Sequence, residues 1–134
     1  MKIKFFIATL CLFGVLHGHA QKEIKADDSI YVFKGKLVDR VSLGPFCGDV
    51  SFNVGFKFEI SETTHPELMN KNVVIVFQCP REVYGTSFFI KGRSYNLKTT
   101  LKKETSLKGV VMQADYAKEN LPVFWNTEIK ILEK

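Results

Sequence analysis

VSFNVGFKFEI, residues 50–60, alternates apolar and polar side chains without a break. Val50, Phe52, Val54, Phe56, Phe58 and Ile60 form one set; Ser51, Asn53, Gly55, Lys57 and Glu59 form the other. A β-strand turns successive side chains to opposite faces, so this pattern predicts a long strand with one buried and one wet face. On a helix the same apolar residues would fall all round the circumference. Gly55, on the outer face, is a natural place for the strand to coil as a barrel strand must.

The neighbouring segments extend this reading. Val73–Cys79 predicts a strand apolar on both faces, since Val73, Ile75, Phe77 and Cys79 share one side while Val74 and Val76 fill the other. Pro80 ends it, because proline cannot donate to a ladder. Between the two strands, SETTHPELMNKN (61–72) is a polar connection with a helical turn starting at Pro66. Upstream, Ile30–Phe33 opens an extended segment, Gly35 marks a bend or bulge, and the strand runs to about Val41 before turn chemistry at 42–45.

Downstream, residues 81–92 are loop-like around Gly85, with an apolar stretch at Phe88-Phe89-Ile90. Tyr95, Leu97 and Leu101 then alternate with Ser94, Asn96, Lys98, Thr100 and Lys102, which predicts a half-buried strand. Leu107–Met112 is the fifth strand. Asp115 caps a short helix that Pro122 stops, and Val123-Phe124-Trp125 packs back on the core. The pattern of 129–134 decides nothing.

Five strands with little helix predict an all-β domain: a small five-stranded OB-like barrel with minor helical turns. An immunoglobulin-like sandwich would want about seven strands and a tryptophan between its cysteines. The single tryptophan, Trp125, lies beyond both. A lipocalin-like barrel needs eight strands.

The N-terminus predicts the compartment. Lys2 and Lys4 precede an apolar run from Phe5 to Leu16, too short to span a bilayer, and Gly18-His19-Ala20 places small residues at a cleavage site before Gln21. Residues 1–20 therefore read as a cleaved signal peptide, 21–28 as a polar lead-in and 29–134 as a single β-barrel domain. A lipoprotein anchor is disfavoured, because Leu10 precedes Cys11. No second apolar run of about 18 residues follows, so no membrane span is expected in the mature, secreted or periplasmic protein.

Removing the signal changes the composition. The whole chain has 134 residues, net charge +5, three cysteines and three histidines; residues 21–134 keep 17 basic and 14 acidic side chains, net +3, with two cysteines and one histidine. In an oxidising compartment, Cys47 and Cys79 predict one disulfide. Closing a loop of about 33 residues contributes roughly 3–4 kcal/mol in the chain-entropy model. Free buried thiols are the alternative. A metal site is weaker, since Cys47, Cys79 and His65 lack C-x-x-C or H-x-x-x-H spacing. No cofactor is expected.

VFKGKLV at 32–38, FCG at 46–48, FNVGFKFEI at 52–60, CP at 79–80 and FFIKGRSYNL at 88–97 occur in an order that resembles the netrin-type module shared with the N-terminal domain of tissue inhibitors of metalloproteinases. Phe89, Gly92, Tyr95 and Leu97 match that family's F-x-x-G-x-x-Y-x-L segment position by position. The resemblance covers roughly residues 30–114 and implies the same barrel; the C-P and G-x-x-Y arrangement is also similar to small secreted bacterial proteins. The inhibitors chelate their target's zinc through a cysteine at the mature N-terminus. Gln21 stands at that point here, so the mechanism does not carry over. The family's several disulfides are reduced to at most one, and a Cys47–Cys79 bond copies no identified family bridge.

Catalytic chemistry finds little material. His65 precedes Pro66 in a polar connection, where a solvated histidine is the ordinary reading, and Asp27, Asp28, Glu59, Glu62, Glu67 and Glu119 read as solvated charges. No P-loop, G-x-G-x-x-G after a strand or EF-hand loop occurs. A charge of +3 is mild for a nucleic-acid groove, and export removes most such substrates, so none is expected. Lys91, Arg93, Lys98, Lys102, Lys103 and Lys108 form a basic sector that reads as a solvated face, or as one meeting an acidic envelope surface.

The expectation is an exported, non-enzymatic binding or accessory domain whose partner is a protein or cell-envelope component. A protease-inhibitor-like module and a small secreted hydrolase are the alternatives. The expected binding surface comprises Phe88, Phe89, Lys98, Lys102, Phe124 and Trp125. The ligand and the oligomeric state stay open.

Overall fold

The computed structural model describes residues 29–39, 41–101, 110–111 and 116–133. The expected signal peptide (1–20) and lead-in (21–28) lie outside the described residues, as do Lys102, the helix cap Asp115 and most of the expected strand 107–112.

Six strands occur in the order β1 (Ile30–Leu37), β2 (Asn53–Thr63), β3 (Asn72–Gln78), β4 (Ser94–Thr100), β5 (Val110–Val111) and β6 (Val123–Ile131). A 3-10 turn, Pro66–Leu68, follows β2; α1 (Pro80–Tyr84) follows β3, and α2 (Tyr116–Glu119) precedes β6. Hydrogen bonding runs β1-β4-β6-β3-β2, and a further β1–β2 pairing closes the ring. Five strands thus make a closed, OB-like barrel, the count that the sequence predicts, but its fifth wall is β6 and not the expected strand at 107–112. The two-residue β5 adds in parallel to the start of β2, outside the ring.

Inward side chains fill the barrel. β1 contributes Tyr31, Phe33 and Leu37; β2 Val54, Phe56, Phe58 and Ile60; β3 Val73, Ile75 and Phe77; β4 Tyr95 and Leu97; β6 Phe124 and Ile129. Phe77 rings lie 5.3 Å from Phe56 and 5.0 Å from Phe89 between centroids, while Phe33 meets Phe124 edge-on at 5.1 Å. Such offset and edge contacts add to area burial. β3 is covered on both faces as expected, with Val73 to Phe77 all buried.

Gly35 sits at a register shift in the β1–β2 ladder, which is the bulge its sequence position predicts. A Cβ there would meet Leu97 Cδ1 at 3.2 Å and Ile60 Cδ1 at 3.4 Å. The missing side chain is what lets the bulge turn inward.

Four expectations need correction. β1 stops at Leu37, short of Val41. β2 starts at Asn53 instead of Val50, which is 60% exposed, because Val50 belongs to a turn closed by its N–H on the Cys47 carbonyl at 2.7 Å. The outer face of β2 is not uniformly wet: Gly55 is buried and borders a cleft of about 150 Å³ with Val41, Ser42, Val111 and Tyr116. Residues 81–92 are not all loop, since Pro80 opens α1 at its first turn and Gly85 follows the last residue at φ 79°.

Candidate binding surface at the stapled end of the barrel

Cys47 and Cys79 are joined in a disulfide, with Cα atoms 5.8 Å apart. The bond ties the loop before β2 to the corner between β3 and α1. Proline at the helix start and the left-handed backbone of Cys79 (φ 44°) turn the chain sharply there. Further bonds hold the two segments together. The Cys47 N–H donates to Glu82 Oε1 at 2.6 Å, the Phe52 N–H to Cys47 Sγ at 3.3 Å, and the Cys79 N–H to the Phe52 carbonyl at 2.8 Å. The Arg81 guanidinium covers the Phe46 ring at 4.3 Å, a cation–π contact across the staple.

This rigid corner presents apolar groups to solvent. Among the described residues, the three most exposed large hydrophobic side chains are Phe46 (65%), Val83 (62%) and Val50 (60%). All three flank the same disulfide: Phe46 adjoins Cys47, the Val50 N–H bonds to the Cys47 carbonyl, and the Val83 N–H bonds to the Cys79 carbonyl at 3.1 Å. Single exposed apolar residues are ordinary on protein surfaces, and these three, all next to one cross-link, make this corner the candidate contact surface.

The residues expected to form a binding surface are dispersed. Phe89 (6% exposed) and Phe124 (0%) belong to the core and are withdrawn from the surface, because loop 85–93 folds over the barrel end and β6 completes its wall. Phe88 is half-buried, 5.0 Å from both Tyr84 and Phe89 between ring centroids. Trp125 is half-buried in β6, opposite Val76 and Thr100. Lys98 is exposed on β4 and borders an open groove of about 300 Å³ with Val32, Asn96, Glu128 and Lys130. Arg93 of the expected basic sector is spent on structure, donating to the Phe88 and Ser87 carbonyls at 3.0 and 3.3 Å.

His65 is half-buried, its ring 4.5 Å from that of Tyr31 and its Nδ1 3.6 Å from a Glu67 carboxylate oxygen. A second polar group lies across the barrel wall. Lys57 Nζ sits 3.0 Å from Glu119 and 3.4 Å from Asp39, 4.9 Å above the Tyr116 ring, and the Tyr116 hydroxyl donates to Asp39 at 2.8 Å. The Glu119 hydrogen bond leads in holding the Lys57 ammonium above its ordinary pKa, against the pull of burial. Burial, then the Asp39 bond, raises the Tyr116 phenol strongly. The group ties α2 to β2, and each member binds another.

No helix among the described residues is long and apolar enough to cross a membrane. No family model, curated protein or solved structure matches the chain.

Proposed function

We propose that the chain is an exported, non-enzymatic binding module whose partner, a protein or cell-envelope component, packs on the Phe46–Val50–Val83 surface. One observation carries the reading: the three most exposed large apolar side chains among the described residues surround the one covalent cross-link. A fixed frame lowers the ordering cost of association, and apolar groups at its centre supply contact area. The signal-like N-terminus supports export. The resemblance to the netrin-type module supports an extracellular binding role without the N-terminal zinc-chelating cysteine.

The test couples export to capture. The secreted protein is expected to begin at Gln21 by N-terminal sequencing. Immobilised mature protein should retain an envelope or extracellular component that Phe46→Ser/Val83→Ser loses and Phe88→Ala keeps. Equal retention by the Phe46/Val83 variant would remove the surface from consideration.

A further inference from the structure

We propose that reduction of the Cys47–Cys79 bond creates a three-ligand site for a zinc-class divalent cation, built from Cys47 Sγ, Cys79 Sγ and a Glu82 carboxylate oxygen. It does not depend on the binding surface described above, since its ligands are different residues.

The first ground is convergence. The two sulfurs and a Glu82 oxygen all lie within 4.8 Å of one another. Two thiolates and a carboxylate form a donor set that zinc accepts, leaving a fourth position for water or another ligand. Tetrahedral zinc holds sulfurs about 2.3 Å from the metal and so about 3.8 Å apart. With Cα atoms 5.8 Å apart, side-chain rotation reaches that separation without moving the backbone.

The second ground is that the frame does not rely on the sulfur–sulfur bond alone. The Cys79 N–H bonds to the Phe52 carbonyl, the Val50 N–H to the Cys47 carbonyl, and the Cys47 N–H to Glu82 itself. These contacts keep the three ligands facing one another after reduction. The Phe52 N–H already points at Cys47 Sγ, and such a donor stabilises a metal-bound thiolate from the outer shell. Glu82 is exposed and Cys79 only half-buried, so an ion has access.

The chemistry balances in two steps. A dithiol reductant passes two electrons and two protons to the disulfide, giving two protein thiols and the oxidised reductant. The cation then displaces one proton from each thiol and binds both thiolates. Disulfide and metal exclude each other. An oxidant that re-forms the sulfur–sulfur bond takes up the thiolate electrons and ejects the ion.

The test is cobalt(II) titration of the purified protein before and after reduction by a phosphine that is then removed. The reduced protein should take up one cobalt per chain, with thiolate-to-cobalt charge-transfer absorption that zinc abolishes. The oxidised protein should show none. Glu82→Gln should weaken cobalt binding by about tenfold or more, since loss of a direct ligand costs at least what loss of an outer-shell partner does. Should reduction unfold the barrel, followed by circular dichroism, zinc should restore the folded signal in the native sequence and not in Glu82→Gln. Three results overturn the proposal: no charge-transfer absorption, affinity unchanged by Glu82→Gln, or the same affinity in urea where the fold is lost.

Discussion

At the scale of single residues, Gly35 and Tyr116 make the sharpest claims. A Cβ at Gly35 would press on Leu97 Cδ1 at 3.2 Å, which must give by a few tenths of an ångström inside a filled barrel, and would touch Ile60 Cδ1 and Phe58 Cβ at 3.4 Å. Gly35→Ala should therefore destabilise by about 1–3 kcal/mol, read from the midpoint of urea unfolding. Stability at or above the native value would show that the bulge has room. Tyr116 makes its prediction through pH. Folding raises its pKa, so the folded state holds the phenolic proton more tightly than the unfolded chain, whose tyrosines ionise near about 10. The resulting stability is complete below about pH 10 and is lost as pH rises through the folded value. Tyr84 and Tyr95 are shifted the same way, with burial as the leading cause. An absorbance titration should show late phenolate transitions for Tyr84, Tyr95 and Tyr116, and Tyr116→Phe should remove one of them. Normal titration of all phenols in the folded protein would contradict the buried clamp.

Among the elements, the staple and β6 are the most instructive. Cys47→Ser/Cys79→Ser should lower unfolding stability by roughly 3–4 kcal/mol at neutral pH. Loss of less than about 1 kcal/mol would mean that the hydrogen bonds at this corner suffice without it. β2 and β4 were legible because their period-two patterns are local, and β3 because a short apolar run of β-branched residues ends at Pro80. β6 was not legible as a strand. Its inward residues are Phe124 and Ile129, an odd step apart, because the ladder with β4 shifts register between Lys98 and Thr99. A bulge moves the buried set from even to odd positions, and no fixed-period reading survives that. α1 is five residues long, too short to show helical periodicity, although proline at its start and glycine at its end mark it. The apolar surface was hidden for a related reason. Alternation assigned Val50 to the core face, whereas the cross-link holds it in a turn.

For the molecule as a whole, the seams of the ring differ in length. β2 meets β3 through seven residue pairs, whereas β3 meets β6 through three, Val74 with Val123 to Val76 with Trp125. Local opening should begin where fewest bonds must break, so amides bonded across the β3–β6 seam should exchange with deuterium before those of the β2–β3 ladder. Equal protection at both seams would mean that the barrel opens only as a unit. The closure also has a consequence for a chain that emerges N-terminus first. β1 can pair with β2 early, but its other edge waits for β4 through Ile30 with Thr100, and β6 must arrive before β3 and β4 are bridged. Distant pairings of this kind are slow to form, because loop entropy is spent before the contacts reward it. Until Ile131 has emerged the ring lacks its fifth wall, and neither β3 nor β4 has its β6 partner.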